Sequence, residues 1–108
     1  MKSLAFALLI LPVLAAAQGR QQFSGAITDS MCADADHSHM RMGSTDAACT
    51  IACNSAHGAP YVLYDGKNAY TLSDQEAPAK FAGKKVTIRG ALDAKTMTIH
   101  VETITEAK

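Results

Sequence analysis

The chain reads as a mainly β protein: a small five-stranded OB-like barrel with a helix-containing insertion after strand 1 and a short helix between strands 3 and 4. Three observations predict this. Five short segments alternate apolar and polar residues with the period-two rhythm of half-buried strands. Aspartate and glycine punctuate them at hairpin spacing. The order strand, insertion, strand, strand, short helix, strand, strand is that of a partly open five-stranded barrel, with an SH3-like barrel as the main competitor. Closing the sheet also removes the unpaired edges that a small open sheet would expose.

Each element has its own signal. The first strand runs from Phe23 to Thr28, with Phe23, Gly25 and Ile27 on one face. The second and third, Tyr61 to Tyr64 and Ala69 to Leu72, flank Asp65-Gly66, a pair that tolerates the positive φ of a tight turn. The fourth runs from Lys85 to Leu92 with Val86, Ile88 and Leu92 inward, and Gly90 replaces an inward side chain at an expected bend or bulge. Asp93-Ala94-Lys95 turns the chain into the fifth, Thr96 to Thr103, with Met97, Ile99 and Val101 inward. Between strands three and four, Pro78 suits the first position of a single helical turn ended by Gly83. In the insertion, a helix is expected over Asp46 to Ala56. Thr45 or Ser44 would cap it, Asp46 would sit at the positive end of its dipole, and Gly58 and Pro60 would stop it.

Organisation and address follow from the first residues. Lys2 precedes an apolar run from Leu4 to Leu14, and Ala15-Ala16-Ala17 follow. That pattern predicts a signal peptide over residues 1–17, with residues 18–108 as one exported domain whose insertion spans about 30–59. The apolar run is shorter than the roughly 20 residues that cross a bilayer, and no membrane span is expected in the mature chain. The whole chain holds ten basic and ten acidic residues, and removing Lys2 leaves it slightly acidic. A nucleic-acid binder needs a basic surplus, so no nucleic-acid partner is expected.

The chemistry is concentrated in the insertion. All three cysteines, Cys32, Cys49 and Cys53, fall between Met31 and His57, together with His37, His39, Met40 and Met42. Thiolate, imidazole and thioether are the donors that zinc and copper(I) prefer. Cys49 and Cys53 lie one helical turn apart on one face, over which Cys32 with His37 or His39 can fold back. Three sulfurs and one imidazole suit tetrahedral zinc, and fewer ligands suit copper(I); Met40 and Met42 stand in reserve. The candidate metal ligands are therefore Cys32, His37, His39, Cys49 and Cys53.

The plainer reading is a disulfide, since exported cysteines usually pair. Cys32 with Cys49 or Cys53 would tie the insertion to its helix, whereas Cys49 with Cys53 fits regular helix geometry poorly. One disulfide leaves a third thiol, which buries, binds metal or pairs with another chain. The small stripe Cys49, Ala52, Cys53 and Ala56 would accept a buried thiol. His57 reads as a cation at a helix end, His100 as solvated, and Asp29-Ser30 as a turn. Tyr61, Tyr64 and Tyr70 belong to the core or, alternatively, to a polymer-stacking face. No Ser–His–Asp order, phosphate-binding glycine loop or paired glutamates stand out, so the sequence points away from an enzyme.

The stretches Phe23-Ser24-Gly25, Ile27-Thr28-Asp29-Ser30-Met31-Cys32, Cys49-Thr50, Cys53, Tyr61-Val62-Leu63 and Ala82-Gly83-Lys84-Lys85-Val86 span nearly the whole mature chain. Together they resemble small exported bacterial proteins carrying a domain of unknown function. In size, address and ligand type the chain is also similar to periplasmic copper-binding OB barrels. Those hold copper(I) with histidine and methionine on barrel strands, whereas here the donors lie in the insertion. The expected function is a periplasmic or secreted, non-enzymatic metal-binding protein holding zinc or copper(I). The alternatives are a disulfide-stapled module binding a cell-envelope protein or polymer, and a thiol–disulfide redox protein.

Overall fold

A computed structural model describes residues 20–107. The expected signal peptide lies outside them. Five strands, β1 (Gln21–Asp29), β2 (Tyr61–Tyr64), β3 (Ala69–Leu72), β4 (Lys85–Asp93) and β5 (Thr98–Glu106), close into a barrel in the order β1-β2-β3-β5-β4. All neighbours are antiparallel except β3 and β5, which run parallel, and β1 closes the ring by pairing with both β2 and β4. This is the OB-like arrangement expected from the element order.

The inward faces follow the sequence pattern. Phe23, Ile27, Tyr61, Leu63, Tyr70, Leu72, Val86, Ile88 and Ile99 form one buried cluster, with Leu92, Met97, Val101 and Ile104 packed against it. Phe23 and Tyr70 meet with ring centroids 5.5 Å apart and tilted by 57°, a favourable aromatic geometry. Tyr61 and Tyr70 are therefore core residues, and only Tyr64 remains partly accessible.

The turns depart from the sequence expectation in instructive ways. The first hairpin is not a two-residue turn at Asp65-Gly66. Tyr64 pairs with Ala69, and the intervening loop is held by the Asp65 carboxylate, which accepts from the amides of Lys67 and Asn68 at 2.8 and 2.7 Å. Those hydrogen bonds hold the carboxyl below its usual range. The β4–β5 turn extends through Met97, which adopts a φ of 51°, so β5 begins two residues later than expected and runs on to Glu106. Its pairing with β4 also slips between Arg89 and Gly90: Arg89 faces Thr103 and Gly90 faces Val101, which skips Glu102. The slip moves the inward set from Ile99 and Val101 to Ile104. Gly90 makes it feasible, because a Cβ there would lie 2.3 Å from the carbonyl oxygen of His100.

Between β3 and β4, a 3-10 turn over Ala77–Phe81 occupies the place of the expected short helix. Asp74 precedes it, its carboxylate accepting from the amides of Glu76 and Ala77, while the cap residue Glu76 makes no side-chain capping bond. Gly83 follows with a φ of 75°, and a side chain there would meet the Ala47 amide nitrogen at 2.9 Å. That close approach seats the insertion helix, α1 (Asp46–His57), on the outside of the barrel against β1. α1 starts at Thr45, whose hydroxyl accepts from the Ala48 amide, and ends at Gly58.

Candidate metal centre

The two ends of the insertion meet where it leaves the barrel. Asp29 pairs with Tyr61 across β1 and β2, and the Ser30 amide donates to the Pro60 carbonyl at 3.0 Å. Within that neck, Asp29 caps a 3-10 turn, Ser30–Cys32, by accepting from the amides of Met31 and Cys32 at 3.0 and 3.1 Å. Asp29-Ser30 is thus a turn, as the sequence suggests. The turn brings the Cys32 carbonyl back to β1, where the Thr28 hydroxyl donates to it at 2.8 Å.

Two consecutive aspartate turns then set the histidines. Asp34 accepts from the Asp36 amide, and Asp36 accepts from both the amide and the hydroxyl of Ser38. These bonds to Ser38 keep the Asp36 carboxyl below its usual range. Ala35, with a φ of 63°, supplies the reversal. The result is asymmetric: His37 is 3% exposed, whereas the His39 side chain is 88% exposed and sits 3.9 Å from Asp36.

The helix supplies the remaining donors. Cys49, Thr50 and Cys53 form its buried face, whereas Ala56, expected in the same stripe, is exposed. The two cysteines do not join the barrel core but form a separate small cluster with Ala59, against which Met42 packs. One ligand atom each of Cys32, His37 and Cys49 lies within 4.8 Å of the others, and all three residues are buried. This group could hold a metal ion. Cys53 lies beside it on the same helix face, and its thiol donates to Met42 Sδ at 3.6 Å. Of the five ligands predicted from sequence, the structure gathers three, keeps Cys53 one turn away and leaves His39 in solvent. Met40 is exposed but offers its carbonyl to the Cys49 thiol at 3.4 Å, and the Met42 amide donates to Cys49 Sγ at 3.4 Å.

Electrostatics favour neutral thiols at Cys32 and Cys53. Burial, then the charges of Asp29 and of Cys49, raises the Cys32 thiol pKa, and the same causes push Cys53 up to about 12. Tyr61 is raised by burial and then by Asp29. All three cysteines are free thiols. A bound cation would reverse this balance, since it stabilises thiolates directly. Three buried polar atoms at the insertion also have no hydrogen-bond partner among the described residues: Asp29 Oδ1, His37 Nδ1 and Thr50 Oγ1. Such orphans are rare in folded proteins and favour a pocket that takes up a ligand or water.

The chain matches no protein-family model, no curated protein and no solved structure. The site therefore has to be read from its own chemistry. Sequence reasoning missed two of its members, Thr28 and the buried carboxylate of Asp29. Thr28 points away from the barrel interior yet is only 1% exposed. A β-branched polar residue at the strand end, just before a cysteine-bearing insertion, was the available signal. His57 lies exposed at the C-terminal end of α1, and His100 is exposed on β5, as expected. Elsewhere, a cavity of about 400 Å³ lies over Ser24, Gly25, Tyr64 and Asp65. Its lining holds no sulfur or imidazole, so it is separate in chemistry from the cysteine group.

Proposed function

We propose that this is an exported, non-enzymatic protein that holds zinc or copper(I) in its insertion, through Cys32, His37 and Cys49. The observation that carries the reading is the convergence of two thiols and one imidazole in a buried pocket, with an imidazole nitrogen left unpartnered. As they stand, the three donors match the low coordination number of copper(I). Recruitment of Cys53 from the same helix face would complete a three-sulfur, one-nitrogen set of the kind that binds structural zinc. The Met42 amide supports either ion, because it already donates to Cys49 Sγ and that contact strengthens when the sulfur becomes a thiolate. Export rests on the leader-like pattern of Lys2, the apolar run and Ala15 to Ala17.

Elemental analysis of protein purified from the exported fraction tests the reading. About one zinc or copper per chain is expected in the parent and in His39→Ala, and near-complete loss in Cys49→Ser and His37→Ala. A parent without stoichiometric metal contradicts it.

A second reading has its own observation. Cys32 and Cys49 are the sulfur pair brought together by the loop, so an oxidised form would join these two and leave Cys53 as the free thiol. Closing a loop of about 15 residues stabilises a fold by roughly 3 kcal/mol. The disulfide and the metal compete for the same sulfurs, so a protein carrying one lacks the other.

A further inference from the structure

We infer that Thr28 is the positioning residue of this site: its hydroxyl fixes His37 in the tautomer protonated on Nε2, so that Nδ1 is the nitrogen given to the ion. The inference rests on the metal-binding reading above and adds the atom that binds and the residue that selects it.

The argument is a count of protons. A threonine hydroxyl has one hydrogen to donate and lone pairs with which to accept. Thr28 spends its hydrogen on the Cys32 carbonyl, at 2.8 Å. The same oxygen also faces His37 Nε2 at 3.4 Å. With the hydroxyl proton already committed, this contact is attractive only if Nε2–H donates to Oγ1. A neutral imidazole carries one ring proton, so Nδ1 then bears the bare lone pair. Nδ1 is also the ring atom that is buried with no partner among the described residues. A buried lone pair with nothing to accept from is unfavourable alone and becomes an asset once a cation occupies the pocket.

Thr28 therefore acts on two ligands at once. Its donated bond holds the carbonyl of Cys32 from one side, while the Asp29 carboxylate holds the amides of Met31 and Cys32 from the other. Its accepted bond orients the ring of His37. At 1% exposure, little water reaches the hydroxyl to compete for either role. Partners of this kind around a ligating histidine commonly change metal affinity by about 10- to 100-fold when removed.

The test uses the full exported protein, reduced, with cadmium-113 and zinc as the probes. Two-bond proton–nitrogen NMR correlations of the metal-free protein, labelled with nitrogen-15 in histidine, read the tautomer of His37. The Nε2–H pattern is expected in the parent and in Thr28→Ser, which keeps the hydroxyl, and a mixed pattern in the near-isosteric Thr28→Val. On loading, cadmium should couple to Nδ1. Thr28→Val should bind zinc about 10- to 100-fold more weakly at unchanged stoichiometry, with Thr28→Ser near the parent. An Nδ1–H tautomer in the parent, cadmium coupled to Nε2, or parent-like zinc affinity in Thr28→Val overturns the inference alone. A parent that takes up neither these ions nor copper(I), titrated in parallel, overturns the metal reading, and this inference with it.

Discussion

At the scale of single residues, what distinguishes the insertion is the burial of soft and polar groups, with Asp29 Oδ1, His37 Nδ1 and Thr50 Oγ1 left without a partner among the described residues. Cys49 and Cys53 are fully buried, His37 nearly so, and the carboxylate of Asp29 sits among them. In the metal-free protein this holds Cys32 and Cys53 as neutral thiols, with Cys53 raised from an ordinary value near 9 to about 12. The linkage has a definite sign. A group with a raised folded pKa binds its proton more tightly when folded, so its contribution is complete below the unfolded value and is lost as pH rises toward the folded one. Metal-free, reduced protein should therefore lose stability between about pH 9 and pH 12, and Cys53→Ala should lose less over the same interval, as read by urea unfolding. An equal loss in both would separate the thiol from the effect. Loaded protein should fail in the opposite direction, because acid protonates the ligands. The crowding of soft donors was legible in the sequence. The choice of His37 over His39 was not, because it depends on two aspartate turns and on a contact with Thr28 across the loop.

Individual elements were legible in proportion to how strictly they keep their period. β2 and β3 fall where the alternation places them, and α1 has the expected cap and stop. β5 does not, because Met97 extends the turn and the skipped Glu102 shifts the register, so a strict alternation loses Ile104. Gly90 itself was a readable sign of that irregularity, and it carries a prediction. In Gly90→Ala the new methyl would meet the His100 carbonyl oxygen at 2.3 Å. Overpacking of this kind costs about 1–3 kcal/mol. Thermal or urea unfolding should show that loss, while metal stoichiometry stays that of the parent, since the bulge lies on strands that contribute no ligand. An unchanged stability would mean the two strands separate freely at this point.

For the molecule as a whole, the barrel core and the buried cysteine cluster of the insertion are separate, joined at the neck formed by Asp29, Ser30, Pro60 and Tyr61. No cysteine or histidine belongs to the barrel core, so none of the candidate ligands is part of it. The insertion has only a small buried cluster of its own, and there a metal or a crosslink would add most to order. This division was visible in the sequence as a plain alternating pattern interrupted by one ligand-rich segment. The folding of Cys32 back over the helix was anticipated, but its meeting with Cys49 and not Cys53 was not visible, because that depends on the 3-10 turn capped by Asp29 and the seating of α1 on β1. The most direct test of the central claim is the intact mass of the exported protein under native conditions, followed by denaturation and alkylation without reductant. The account predicts the mass of one chain plus one zinc or copper ion, and three alkylated cysteines after unfolding. A chain with no bound ion and only one alkylated cysteine would contradict it.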